Sequence, residues 1–326
     1  MNAFTPEFSA GAVALRKGQA VGVLERVCQA LEPTATQRES AEDRYGAVGR
    51  WVAAADTWLF GSAQIYAQGS FATGTTIRPI GRDEFDVDLV IFFPQGSQAL
   101  APVVLKRMLG DRLRAHGTYQ DMLEEMLRCW RINYANEFHL DITPSILNPA
   151  CLRGGELVPD KKAQCWKASN PIGYRDWFNK RADMQPRIRL QKAIAMDEKR
   201  AGIEPFPPHS MHKGVLRRIV QLAKRHRDLS FQGKDLGLRP ISVILTTLAA
   251  RAYETCVQRE YDTEFDLMYD VVRSMRAFIN IQESGGRRWW FIWNDTTSGE
   301  NFAEKWNFEP ARAEAFYGWH TSFVSL

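Results

Sequence analysis

The chain has 326 residues, 45% hydrophobic and 25% charged, and its 42 basic against 38 acidic residues leave a formal charge of only +4. That composition excludes a disordered or fibrous class, and so small a charge argues against a general scavenger of long nucleic acid. Cys28, Cys129, Cys151, Cys165 and Cys256 are odd in number and lack a Cys-x-x-Cys pair, so no disulfide framework or zinc ribbon is expected; they read as buried, reduced thiols.

No apolar run approaches the ~20 residues of a membrane span, and the opening Met1-Asn-Ala-Phe-Thr-Pro-Glu lacks a leader pattern. A cytoplasmic protein without membrane contact is expected. The first helix is expected from about Gln37 to Phe60, with Tyr45, Val48, Trp51, Val52 and Trp58 on its apolar side and Gly61-Ser62 closing it. Gln68-Gly69-Ser70-Phe71-Ala72-Thr73-Gly74-Thr75 then supplies a close-approach glycine, a hydroxyl and a helix N-terminus whose amides suit phosphate oxygens; an ordinary helix cap has the same composition.

In Phe85-Asp86-Val87-Asp88-Leu89-Val90-Ile91-Phe92-Phe93 the residues are β-branched or aromatic apart from two aspartates and a leucine. A strand delivers Asp86 and Asp88 to one side and Val87, Leu89 and Ile91 to the other. Beyond Asp88 both faces turn apolar, as in a strand entering a buried sheet. An amphipathic stretch follows from Leu100 to Leu113. Phe138 to Pro144 alternates like the first strand and puts Asp141 on its polar face, so a neighbouring strand would complete a carboxylate triad. Three crowded carboxylates repel unless cations hold them, and oxygen-only ligands favour Mg²⁺ or Mn²⁺. Two such ions roughly 4 Å apart can serve an in-line displacement.

Glu204-Pro205-Phe206-Pro207-Pro208 breaks the chain, and His209 and His212 beyond it read as loop residues rather than a metal pair. The remainder reads as helices over 211–229, 240–259, 263–282 and near Ala311 to Phe323. Lys224 shares a helical face with Arg217 and Gln221, opposite Leu216, Ile219, Val220 and Ala223. Ser242, just after Pro240, falls in the first turn of the next helix. Basic clusters at Arg187 to Lys192 and Arg217 to Arg227 could attract triphosphates, and the Arg287 to Trp293 run, rich in aromatics, reads as core. The organisation expected is α+β: a mixed-sheet core carrying the acidic strands, with an N-terminal helix, over 1–180, then a mainly helical lobe over 181–326, with a cleft between them that would hold nucleotides.

Gly69-Ser70, Asp86-x-Asp88 and a distant Asp141 together resemble the polymerase-β-like nucleotidyltransferases. The run Gln68 to Thr75, the continuation Ile77-Arg78-Pro79 and the long interval before Asp86 are similar to the cGAS/DncV-like nucleotidyltransferases of bacteria. So are Leu222-Ala-Lys224 with Arg239-Pro240-Ile-Ser242, and Glu300-Asn301-Phe-Ala-Glu-Lys305-Trp306. The resemblance implies a polymerase-β-like sheet lobe with a bracing N-terminal helix and a C-terminal helical lobe. It implies catalytic and metal-binding roles for Asp86, Asp88 and Asp141, with two Mg²⁺ or Mn²⁺ ions, and contacts from Gln68, Gly69, Ser70, Lys224 and Ser242 to nucleotide. The implied substrates are nucleoside triphosphates including ATP, and the implied product is a cyclic di- or trinucleotide messenger for CBASS-type antiphage signalling. No obligatory long nucleic acid is expected, and a regulatory protein partner stays open. A linear oligonucleotide or RNA-tailing transferase, or a silent nucleotide sensor, remains as an alternative.

Overall fold

The structure, a computed structural model, describes residues 10–54, 59–81, 85–134, 137–160, 164–189 and 213–325. The expected Glu204–Pro208 break, His209, His212, Lys192 and Trp58 lie outside these residues. The described residues group into two units that are not consecutive halves of the chain. One comprises Glu32–Asn179 with Phe291–Glu304; the other takes the chain up to Leu31, Lys180–Trp290 and the stretch from Lys305.

The first unit is built on a mixed seven-stranded sheet. Its strands are β1 (Gln64–Gln68), β2 (Phe85–Phe93), β3 (Leu123–Glu125), β4 (Trp130–Tyr134), β5 (Phe138–Leu147), β6 (Glu156–Asp160) and β7 (Cys165–Ser169). The order is β1-β2-β5-β4-β3, with β6 joined to β5 and β7 to β6. The central β2–β5 pair is parallel and its flanking pairs are antiparallel. Strict alternation explains why these segments are strands: Phe85, Val87, Leu89 and Ile91 of β2 and Phe138, Leu140 and Ile142 of β5 are all buried on one face. Against that face pack Val48 and Val52 of α2 (Ala35–Ala53) and Leu105, Leu109 and Leu113 of α4 (Pro102–Arg114). Two one-turn helices, α3 (Gly69–Thr73) and α5 (Gly117–Gln120), complete the connections near the sheet.

Helix α2 departs from the expected Gln37–Phe60 span at both ends. Thr34 caps it through the Gln37 amide while Gln37 Oε1 accepts from the Thr34 amide, a reciprocal capping box that starts the helix at Ala35. It ends at Ala53, and Phe60–Ser62 forms a separate 3₁₀ turn.

The second unit is mainly helical. It contains α1 (Ala10–Leu31), the end of α6 (Pro171–Ala182), α7 (Gly214–Ser230), α8 (Ser242–Cys256), α9 (Glu264–Ser274) and α10 (Ala311–Val324). It also holds the short parallel pair β8 (Arg187–Ile188) and β9 (Glu260–Tyr261), and the hairpin β10 (Asn280–Ser284) with β11 (Arg287–Phe291) up to Trp290. Helix α1 was not expected; it is tied down by Lys17–Asp266 and Glu25–Arg218 ion pairs, each 2.5 Å. The helix expected over 263–282 stops at Ser274, with a 3₁₀ turn to Phe278. Gly285 and Gly286 both adopt left-handed φ, +62° and +70°, which a two-residue hairpin turn demands, and this turns Asn280–Ser284 into a strand. The aromatic run is core only in part: Trp290 and Ile292 are buried, while Trp293 is 41% exposed.

None of the five cysteines is in a disulfide, but only Cys28 and Cys256 are buried; Cys165 is exposed, contrary to expectation. No helix among the described residues is long and apolar enough to cross a membrane.

Candidate active site

Pleat and register together assemble an acidic face on the sheet unit. Asp86 and Asp88 stand two apart on β2, and β5 runs parallel beside it so that Asp141 lies opposite Asp88 and His139 opposite Asp86. Directly paired residues share a face, so the three carboxylates form one group on the side away from α2 and α4. On one flank β1 sets Gln68 opposite Asp88. On the other, β4 sets Arg131 opposite Asp141, and β3 sets Glu124 opposite Arg131.

The link from β1 into α3 explains why glycine occupies position 69. Gly69 has φ +64°, and a Cβ there would stand 2.1 Å from Asp88 Oδ2. The turn therefore lies against the carboxylate at a distance that a side chain would prevent. Helix α3 is a single turn closed by Gly74 in the left-handed region, so its dipole is small. What it offers a phosphate is its first amides and the Ser70 hydroxyl, which accepts from Thr76 Oγ1 at 3.1 Å.

Arg131 was not singled out from the sequence. Its Nε and Nη2 donate to the two oxygens of Asp141 at 2.6 and 2.8 Å, and Nη2 also donates to Asp86 Oδ1 at 3.1 Å. The hydrogen bonds to Asp141 raise its pKa and keep the guanidinium charged. The crowding of carboxylates is thus relieved by the chain's own cation, so the case for metal rests on donor chemistry rather than on repulsion. His139 Nδ1 stands 3.4 Å from the same Asp86 oxygen. The Cys129 thiol is pushed up to about 12 by burial and then by the charge of Asp141, so it is a neutral thiol at neutral pH.

As the side chains stand, no three His, Cys, Asp or Glu residues among those described close on one point. The Arg131 fork occupies oxygens that Asp86 and Asp141 would otherwise share. The donor set itself, carboxylates only and on one face, with Asp88 held against a glycine, fits a hard divalent cation such as Mg²⁺ or Mn²⁺.

Lys224 and Ser242 belong to the helical unit. Helix α7 packs against α1, α8, α9 and α10 and is buried on both sides. Lys224, at 4% exposure, and Gln221, at 0%, are therefore buried even though they lie opposite the apolar stripe of Leu216, Ile219, Val220 and Ala223. Ser242 is the first residue of α8, and its hydroxyl accepts from Arg227 Nη1 at 2.9 Å; the same nitrogen reaches the Pro240 carbonyl at 3.1 Å. Sequence reasoning did not find this Arg227 contact. Among the described residues of the basic clusters, Arg217 pairs with Asp183, Arg218 with Glu25, Arg227 with Asp228, and Arg189 with Glu260 and Asp262. In the C-terminal motif, Asn301 Oδ1 accepts from the amides of Ile292 and Ala303, and Glu300 accepts from Asn294 Nδ2 at 2.7 Å, so these residues stitch a loop of the sheet unit.

Residues 20–182 match the family described as the Second Messenger Oligonucleotide or Dinucleotide Synthetase domain. The chain is 33% identical over 243 residues to a c-di-GMP synthase of Roseivirga ehrenbergii, a stretch covering 73% of this chain and 62% of that protein. It is 30% identical over 229 residues to the cyclic dinucleotide synthase CdnG of Bradyrhizobium diazoefficiens, covering 65% and 53%. The chain thus spans less than two thirds of the length of these relatives. The solved structure of the Bradyrhizobium diazoefficiens CD-NTase CdnG in complex with GTP has a TM-score of 0.67 at 22% identity and covers 92% of this chain and 87% of that one. This likeness is one of fold and bears out the expected polymerase-β-like α+β architecture.

Proposed function

This chain belongs to the Second Messenger Oligonucleotide or Dinucleotide Synthetase family, and from that membership we propose that it joins nucleoside triphosphates into a cyclic dinucleotide with release of pyrophosphate. The observation that most supports the reading is the in-register meeting of Asp88 with Asp141, with Asp86 on the same face and Gly69 against Asp88. Asp86 and Asp88 would hold two divalent ions, Mg²⁺ or Mn²⁺, with Asp141 completing the site on the acceptor side. When bound, the ions neutralise the triphosphate and make the acceptor ribose hydroxyl easier to deprotonate.

The chain's own residues position the reactants. Ser70, whose oxygen already accepts from Thr76, keeps its proton to donate to a donor phosphate oxygen. Lys224 and Ser242 are assigned to the donor triphosphate on the family resemblance, and Gln68 to the nucleotide beside Asp88. The acceptor oxygen bonds to the donor α-phosphorus as the bond to pyrophosphate breaks, and a second transfer closes the ring. Alignment and charge neutralisation supply most of the rate. The c-di-GMP synthase relative supports GTP as a substrate, and the resemblance supports ATP beside it. A cytoplasmic location and a role in CBASS-type antiphage signalling belong to the same proposal.

The test incubates the protein and Asp86→Asn with all four α-labelled nucleoside triphosphates in Mg²⁺ or Mn²⁺, then adds phosphatase. A compact phosphatase-resistant product that Asp86→Asn does not make is the expected result. A phosphatase-sensitive or laddered product would assign a linear transferase, and full activity of Asp86→Asn would remove the triad from the mechanism.

A further inference from the structure

Three adjacent strands carry a row of charges on one face: Asp86 and Asp88 on β2, Asp141 on β5 and Arg131 on β4. Arg131 is directly opposite Asp141 in an antiparallel pair, so its reach across the strand follows from register rather than from a loop. The side chain is 19% exposed, against 56% for Asp86 and 16% for Asp141. Its fork makes two short hydrogen bonds to Asp141 and a single longer one to Asp86. A bidentate guanidinium–carboxylate pair is the stronger contact, and the lone bond to the more exposed Asp86 is the one that gives way first. These three bonds occupy carboxylate oxygens that a divalent ion would need.

Resting on the catalytic reading above, we infer that Arg131 is a positioning residue that holds Asp86 and Asp141 together before metal arrives, and that a divalent ion enters by displacing it from Asp86. The arrangement keeps the two carboxylates from splaying apart, and it lowers the affinity for a free ion. An ion that arrives on a triphosphate brings phosphate oxygens of its own and needs fewer from the protein. The site therefore loads with the metal–nucleotide complex in preference to the bare cation.

The experiment titrates nucleotide-free protein with Mn²⁺ and follows free Mn²⁺ by electron paramagnetic resonance, for the unmodified chain, Arg131→Gln, Arg131→Lys and Asp86→Asn. Arg131→Gln removes a positive charge from within a few ångströms of the ion and is expected to bind Mn²⁺ at least ~10-fold more tightly. Arg131→Lys keeps the charge but loses the planar fork that pairs Asp141 through two nitrogens while reaching Asp86, so its affinity should rise by a smaller factor, ~3-fold. Should Arg131→Gln fail to fold, the lysine variant still decides the matter. A purely structural role would lower the melting temperature of both variants and leave Mn²⁺ affinity unchanged or weaker, and that result overturns the inference while leaving the triad intact. If the unmodified chain and Arg131→Gln both bind no Mn²⁺, or Asp86→Asn binds it as well as the unmodified chain, the metal-site reading falls and this inference with it.

Discussion

Replacing Gly69 by alanine separates the backbone demand of the turn from its closeness to the acidic face. The left-handed conformation at φ +64° costs a non-glycine residue about 1–2 kcal/mol. The added Cβ would also lie 2.1 Å from Asp88 Oδ2, and real Cβ contacts do not fall below 3.0 Å, so the two atoms must separate by about 1 Å. The atom that yields is the end of a side chain on a strand whose backbone is held on both edges, so the carboxylate swings and β2 stays in place. The stability loss should therefore match that of Gly154→Ala, where φ is +73° and nothing lies within 4 Å of the new Cβ. Activity should not match: a ~1 Å displacement of a catalytic group costs ~10²-fold in rate. Urea unfolding of both variants, with pyrophosphate release measured under conditions where both are folded, makes the comparison. Unimpaired turnover of Gly69→Ala, or an equal loss in Gly154→Ala, would refute the argument that Asp88 is held in its working position by the absence of a side chain at 69.

A Cβ on Gly110 of α4 would meet the Trp130 ring at 2.2 Å, and Trp130 is buried with its Nε1 bonded to the Lys106 carbonyl. Gly110→Ala should lose ~1–3 kcal/mol by overpacking, read by chemical denaturation, and an unchanged midpoint would show that the ring has room to move. Lys224→Met preserves volume in the buried interior of α7 while removing the charge; it should raise the KM for nucleoside triphosphate with turnover still detectable, whereas a fall in kcat alone would place the amine elsewhere in the mechanism. Burial lowers the pKa of His320, whose Nε2 bonds to the Val272 carbonyl at 2.8 Å and whose buried Nδ1 has no hydrogen-bond partner among the described residues. The unfolded chain takes up this proton near the ordinary value of 6.5 and the folded chain resists it, so stability present above that value is lost as pH falls below it. Melting temperatures between about pH 7.5 and 5 should fall less steeply for His320→Gln, and an identical slope would clear His320 of the effect.

What could be read from residue order alone is what depends on a short period. Alternation along Phe85–Phe93 and Phe138–Leu147 determined two strands and the parity of Asp86, Asp88 and Asp141, because a pleat sends every second side chain the same way. Helices α4, α8 and α10 were likewise legible from their apolar spacing, and Gly69 from the need for close approach. Local signals that were present but outweighed account for other differences: Thr34 and Gln37 mark the start of α2, and Gly285-Gly286 marks a hairpin whose first strand takes the last residues of the helix expected over 263–282. Helix α1 carries exposed Val13, Leu15, Val23 and Val27, which blur the periodicity that would have announced it. Lys224 looked amphipathic in sequence and is buried because α7 is packed from several directions, which no single-helix pattern encodes. Which residues face one another across strands belongs to tertiary structure alone. Asp141 meets Asp88, and Arg131 meets Asp141, through pairing registers set by how the β2, β4 and β5 core faces pack on α2 and α4. A slip of one residue in either pairing would turn a strand's apolar set outward, so burial of the opposite face is what holds the charged row in line.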